Sequence, residues 1–317
     1  MSKTNESNKS IGGSMKYYEK YAYGVFMLKS KNSLFNADFS HEPRQLPDEN
    51  STFYATDKSL KYCIRRYVHD VKGDKQVFFW RRNKKDKELK PLNLGANYTE
   101  VFGTEPKKKG NQEAEENLLS CWDVRVFGAT FAESDCNLSI TGPIQISYGV
   151  NKINQSQKYS NQILSPFQNV KTEEAKQRTM GSESKALEAH LAFDFLINPK
   201  THRKDTLTED DVSIFKEAIC KGVSYVNSAA KIGSESEFVL FVESKKHTTM
   251  PLLKDYIDVT TQDGKTIINL KRIGVLLKNY DDTAIEMYYE STNTAVSEIP
   301  SGAKAFNIHT LKEIKTN

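Results

Sequence analysis

The sequence is poor in the residues and patterns that most enzyme and metal chemistry needs. It holds four cysteines, Cys63, Cys121, Cys136 and Cys220, and no pair in C-x-x-C spacing. Its six histidines are scattered, with no H-x-x-x-H. A structural zinc site needs such clusters, so no metal is expected. Scattered cysteines instead fit free thiols in a reducing cytoplasm, the expected location. No apolar run approaches the roughly 18–20 residues that span a bilayer, so no membrane is expected as a partner. A G-x-S-x-G elbow is absent, and no glycine-rich dinucleotide fingerprint follows the first predicted strand. Gly264-Lys265-Thr266 resembles the end of a phosphate loop, but Val259 stands where a glycine is required, and the context is a hairpin. No carboxylates are paired for acid–base work. The expectation is a chain without catalytic residues or cofactor, not an enzyme. Asp38 is the one isolated loop acid of interest, and an Asx-turn role accounts for it first.

What is present is a globular composition. Of 317 residues, 38% are hydrophobic and 27% charged, with 45 basic against 41 acidic residues. A net charge of +4 says little about a nucleic-acid partner, so the placement of the basic residues matters more. Residues 1–14 are polar and read as a disordered lead-in, and 15–317 as a single domain.

Tyr21 to Lys29 reads as a buried strand, and a polar loop follows from Ser30 to Ser51. Asp57 to Asp70 predicts a helix, since Leu60, Cys63, Ile64, Tyr67 and Val68 form one apolar stripe. Its other side carries Lys58, Lys61, Arg65 and Arg66, which on helix periodicity alone is a solvated face. Residues 76–141 read as an insertion with mobile parts. It contains a strand-like Val77 to Trp80, basic clusters at 81–87 and 107–109, and a strand from Cys121 to Phe131 broken by glycine. Ile144 to Tyr148 alternates as a half-buried strand does. Residues 151–184 are too polar to bury a core and predict an arm or hairpin. Lys185 to Ile197 is a further strand. Thr208 to Val226 is a helix with Thr208 and Asp211 as a capping box, and Glu237 to Glu243 is another strand. Asp263-Gly264 marks a hairpin turn, and Ile285 to Tyr289 a last strand. Without its insertions the order is strand, helix, strand, strand, helix, strand. The expected class is therefore α+β, a ferredoxin-like (RRM-like) palm.

Four segments in order carry a resemblance. They are Asn36-Ala-Asp38 with Pro43-Arg44; Thr56-Asp57 through Leu60-Lys61, Ile64-Arg65 and Tyr67; Cys121-Trp-Asp-Val-Arg-Val-Phe-Gly-Ala-Thr130 with Ile140-Thr-Gly-Pro-Ile-Gln-Ile-Ser147; and Arg178-Thr-Met-Gly181. Together they resemble the hand-shaped backbone subunits of type I CRISPR Cascade complexes, closest to the type I-B branch and then type I-C, over roughly residues 20–245. The departures are Ala37 and Phe39 in place of glycine and proline, Tyr62 where a second basic residue is frequent, and Lys231 near a position that often carries arginine.

The resemblance implies a palm with inserted fingers (about 76–141) and an extended thumb (about 151–184). It implies a protein that oligomerises along crRNA and presents the spacer for pairing with target DNA. The implied partners are crRNA, target DNA, other copies of the chain and other Cascade subunits. A protein serving any spacer must read backbone rather than bases. The RNA-binding candidates are Asn36, Arg44, Lys58, Lys61, Arg65, Arg66, Gln145, Phe167, Arg178, Met180 and Lys231. Ile163, Leu164, Phe167 and Met180 are wedge candidates, with packing of Phe167 on its own palm as the alternative. The basic insertion is either a solvated loop or a surface for target DNA. Two other functions compete: a type III-like subunit that cuts target RNA with a metal at Asp38, and a generic single-stranded RNA-binding or processing protein.

Overall fold

The computed structural model describes residues 16–315 apart from 85–88, 108–109, 134, 154–155, 169–177, 202–205, 227, 246 and 248, with backbone only at 165–168 and 178–180. The lead-in at 1–14 and the basic residues Lys85, Lys87, Lys108 and Lys109 lie outside the described residues.

The chain begins with β1 (Tyr21–Ser33), β2 (Tyr54–Ala55) and α1 (Asp57–Lys72). The segment expected to be irregular then forms α2 (Leu94–Phe102), α3 (Asn111–Ser120), α4 (Trp122–Phe127) and the hairpin β3 (Gly128–Glu133) and β4 (Cys136–Thr141). Next come β5 (Ile144–Ile146), β6 (Gly149–Asn151), β7 (Lys158–Gln168), β8 (Arg178–Ile197), α5 (Glu209–Tyr225) and β9 (Ser234–Ser244). The C-terminal part holds β10 (Asp258–Gln262), β11 (Lys265–Asn269), α6 (Lys271–Leu277), β12 (Thr283–Tyr289), β13 (Thr294–Ser297), β14 (Lys304–Asn307) and β15 (Glu313–Ile314).

The class is mixed α+β, as expected. In the main sheet the strands run β15-β14-β12-β9-β1-β8-β6-β2, with β5 and β7 also paired to β8. At its centre β1 pairs antiparallel with β8 and β9 along most of its length, because both of its faces are apolar and buried. Helices α1 and α5 cover one face. Thr56 caps α1 by accepting from Ser59 N, and Thr208 and Asp211 form the predicted capping box on α5. The helices approach closely because Gly222 of α5 lies against the backbone of Cys63, where a Cβ would sit 3.0 Å from the Cys63 carbonyl oxygen.

Two expectations fail in the insertion. Val77 to Trp80 forms no strand, and of the strand expected from Cys121 to Phe131 only the part from Gly128 onward is one, Cys121 being a bend and Trp122 to Phe127 forming α4. Trp122, Asp123, Val124, Val126 and Phe127 are all buried, so the alternation in this segment does not mark a buried and an exposed face. The insertion has its own core, built on Phe78, Tyr98, Leu118, Val124, Phe131 and Ile140. A group of this size explains why helices form where the sequence looked broken.

The C-terminal residues do not merely extend the palm. Strands β12, β14 and β15 lengthen the main sheet. The small sheet β10-β11-β13 and α6 instead fold over the sheet face opposite α1 and α5. There Met250, Leu253, Ile268, Leu270 and Ile273 bury Val25, Met27, Ala192, Phe238 and Leu240. No described helix is long and apolar enough to cross a membrane.

A buried polar cluster ties that covering layer to the sheet. His190 Nδ1 lies 2.7 Å from Glu237 Oε2, and its Nε2 3.2 Å from Glu188 Oε1. Thr266 of β11 donates to Glu237 Oε1 at 2.5 Å. Burial works against a proton on His190, but the hydrogen bond and charge of Glu237, joined by Glu188, outweigh it and raise the pKa above 6.5. A histidine raised on folding stabilises fully below its ordinary pKa, and that contribution drains as pH climbs through the raised value. Glu188 behaves oppositely. Burial pushes it up, but His190, Lys29 and Lys31 bring it below 4.5, so its share is lost only as pH falls below that value. The urea midpoint is therefore expected to fall from pH 6.5 upward in the native protein, and less so in His190→Asn. Parallel pH profiles for the two proteins would mean that His190 carries no proton in the fold.

Candidate nucleic-acid interface

The basic candidates on α1 do not share one accessible flank. Lys58 is exposed, with 84% of its side chain open to solvent. Lys61 turns inward, 3.2 Å from Asp57 and 5.3 Å over the Phe127 ring. Burial lowers its pKa, against the pull of Asp57. Arg65 also turns inward. Its Nε donates to Asp123 Oδ2 at 2.8 Å, and its guanidinium lies 5.4 Å over Phe79 and 5.3 Å over Phe127. Arg66 remains at the surface, paired with Asp70 at 2.6 Å and resting 5.5 Å over Trp80. The reason is the insertion, which packs against that side of the helix and covers positions 61 and 65. Lys231 likewise faces the protein. Its Nζ donates to the Phe35 carbonyl and lies 4.3 Å over the Phe35 ring, and burial lowers its pKa.

The central segment of the resemblance acts as a clamp. Asp123 is wholly buried and accepts from Arg65 and from the backbone N–H groups of Phe78 (2.8 Å) and Phe79 (3.2 Å). Trp122 Nε1 donates to the Asp211 carbonyl at 3.2 Å, and Arg125 Nη2 to Asp211 Oδ1 at 2.8 Å. One short helix thus fastens α1, the insertion and the start of α5. Its exit needs glycine twice. Gly128 has φ +81°, and a Cβ there would meet Ile140 O at 2.1 Å; a Cβ on Gly142 would meet Gly128 N at 2.3 Å. The two halves of this segment touch through those glycines, and Gly128→Ala is expected to lower the thermal midpoint by several degrees, since both the backbone angle and the space forbid a methyl. A midpoint within a degree of native would show that the joint relaxes.

A different set of candidates gathers at the β2 edge of the main sheet. The 34–56 loop folds back on itself through isolated bridges between Ala37 and Pro43 and between Gln45 and Phe53. Asn36 Oδ1 accepts from Thr56 N at 2.9 Å and Thr56 Oγ1 at 3.1 Å, so Asn36 fixes the cap of α1. Asp38 Oδ1 accepts from Ser40 N at 2.8 Å and Glu42 N at 2.9 Å, which is the Asx-turn role expected of it. Those bonds, with the charges of Arg44 and Lys158, hold its carboxyl below the usual range. Arg44 follows, its Nε buried without a partner among the described residues. Lys158, at the root of β7, pairs with Glu42. Gln145 is exposed on β5, donating to Gly142 O at 2.8 Å.

Beside this edge β7 and β8 form a long hairpin. Lys158 pairs with Ala186 and Leu164 with Met180, and the part of β8 before Ala186 pairs with β7 instead of the palm. Ile163 and Leu164 are 49% and 57% exposed. Phe167 lies in β7 and Arg178 and Met180 in β8, with side chains outside the description. The sequence missed two residues at the edge, Tyr54 and Tyr148, whose rings stack 5.8 Å apart. Tyr54 belongs to no periodic pattern, and the alternation that ends at Tyr148 marks it only as an inward-facing strand residue. Among the described residues no cluster of three or more His, Cys, Asp or Glu is placed to hold a metal.

The family model of the CRISPR-associated protein Cas7 matches residues 20–278. No curated protein sequence matches the chain. Among solved structures, a chain of a CRISPR RNA-guided surveillance complex, pre-nicking, superposes with a TM-score of 0.56 at 12% identity, covering 90% of this chain and 96% of its own. A chain of another CRISPR RNA-guided surveillance complex gives a TM-score of 0.49 at 10% identity, with 88% and 95% covered. The first of these likenesses is one of fold.

Proposed function

The chain belongs to the Cas7 family of CRISPR-associated proteins, and from that premise we propose that it is a guide-RNA-binding backbone subunit of a type I surveillance complex. Many copies line one crRNA, hold it by its phosphates, and leave the spacer bases for target DNA. The observation that carries the reading is the β7–β8 hairpin. It reaches away from the palm with Ile163 and Leu164 uncovered, beside an edge that offers Arg44 of the loop, Lys58 at the start of α1 and Lys158 at its own root. Exposed apolar side chains on a projecting hairpin call for a partner, and basic residues beside them call for a polyanion. Other copies and other subunits of the complex are the partners proposed for the hairpin.

In this reading the protein does not cut nucleic acid. Asp38 supports it, because its Oδ1 is already committed to two loop N–H groups. Purified protein from cells that co-express a CRISPR array is expected to carry protected RNA of uniform length in a multi-copy particle, and to leave complementary target RNA intact with divalent metal. Cleavage abolished by Asp38→Ala would replace this reading with the metal-dependent one. Random cellular RNA on a monomer would favour a generic RNA-binding protein.

A further inference from the structure

An RRM-like sheet offers bases the face opposite its helices, where aromatic side chains stack them. Here the centre of that face is closed. The layer of β10, β11, β13 and α6 buries Met27, Ala192 and Phe238 beneath it. What stays open is the edge at β6 and β2. Tyr54 pairs with Val150, and Val150 with Ala192, so Tyr54 lies on the same face as Ala192. Its neighbours Phe53 and Ala55 point the other way, into the core beneath α1 and α5. Tyr148 lies nearly parallel to Tyr54, at 16°, and is 49% exposed.

The residue across from Tyr54 on its outer side is Arg44. Tyr54 N donates to Arg44 O at 3.0 Å, and Gln45 bridges to Phe53. The alternation of a ladder then places Arg44 on the face of Tyr54. Its Nε is buried and has no acceptor among the described residues. A buried cationic donor left unsatisfied is costly, and an anion supplied from outside would satisfy it. A ring pair with one half-exposed member and a guanidinium whose Nε lacks an acceptor match the two ends of a nucleotide.

We infer that Tyr148, backed by Tyr54, is a base-stacking platform for one nucleotide of the bound single strand, whose phosphate rests on Arg44. The inference depends on the proposal that this chain binds RNA, and it assigns a base contact where that proposal requires only phosphate contacts. Stacking tolerates any base, because every base has a π face, so such a platform is compatible with guides of any sequence. It anchors one nucleotide per subunit without reading it.

The test uses the full chain with a labelled single-stranded RNA and with an abasic strand of the same length, titrated at several salt concentrations. Tyr148→Ala is expected to weaken RNA binding about ten-fold, to leave the salt slope unchanged, and to leave binding of the abasic strand as it was. Tyr148→Phe keeps the ring and should bind as the native protein does. Arg44→Gln should weaken both strands and lower the salt slope by about one. If native protein binds RNA and Tyr148→Ala binds it equally well, the platform is wrong and the RNA reading stands. The platform is equally wrong if Tyr148→Ala weakens both strands alike, since the ring then acts only on the fold. If native protein binds neither strand, both fall.

Discussion

Asp123→Ala is expected to destabilise the protein by about 3–5 kcal/mol, the range for removing one partner of a buried ion pair. Asp123 is fully buried, and three donors converge on it: Arg65 Nε, Phe78 N and Phe79 N. Alanine leaves all three without an acceptor, and a guanidinium that is only 16% exposed without its counter-charge. Urea unfolding with Lys58→Ala as control checks it. Lys58 is 84% exposed, and its loss should stay within about 0.5 kcal/mol. A loss below about 1 kcal/mol for Asp123→Ala would mean that water reaches Arg65 and replaces the carboxylate. The same geometry governs any attempt to find the RNA by reversing charge on α1. Arg65→Glu sets one carboxylate against another in a dry site, and Lys61→Glu sets one against Asp57. Failure of either variant, or of the two combined, to bind RNA would report a damaged fold. Lys58 and Arg44 are the informative positions.

Replacing residues 161–183 with Asn-Gly is expected to leave a folded palm that no longer assembles along guide RNA. The break falls between Ser160 and Ser184, which face each other in the hairpin and whose hydroxyl oxygens lie 2.7 Å apart. Asn-Gly suits the tight turn that would close the shortened ladder. Nothing in the main core is removed, because β8 pairs with β1 only from Ala186 onward. The thermal midpoint should therefore stay within a few degrees of native, while particle size on guide RNA, measured by analytical ultracentrifugation, collapses to that of single copies. Full-length particles from the shortened protein would remove the hairpin from the assembly proposal. A shortened protein that does not fold would show the hairpin to be part of the palm, which its pairing argues against.

Local signals in the sequence located much of this fold. Helix α1 begins at the predicted Asp57, because Thr56 caps it and five apolar residues fall on one stripe. The capping box of α5 and the hairpin turn at Asp263-Gly264 were equally legible, since each depends on residues within a few positions of one another. The insertion was not. Trp122 to Phe127 reads as a strand because apolar and charged residues alternate along it, and it is helical because its surroundings bury nearly all of it, Asp123 included. Of the candidate contacts, Asn36, Arg44 and Lys58 came together at one edge. Lys61, Arg65 and Lys231 had their charges drawn into the protein by Asp57, Asp123 and the Phe35 carbonyl.

By itself the sequence determined the class of fold, the main helices and strands, the projecting hairpin and the family, because these rest on short-range periodicity, caps and ordered motifs. Only the tertiary structure decided which basic side chains remain available, what the C-terminal residues cover, and which tyrosines meet. A lysine or arginine on a helix is written the same way whether solvent or a carboxylate awaits it. Tyr54 and Tyr148 lie far apart in the chain and become neighbours solely because β2 and β6 pair at the sheet edge.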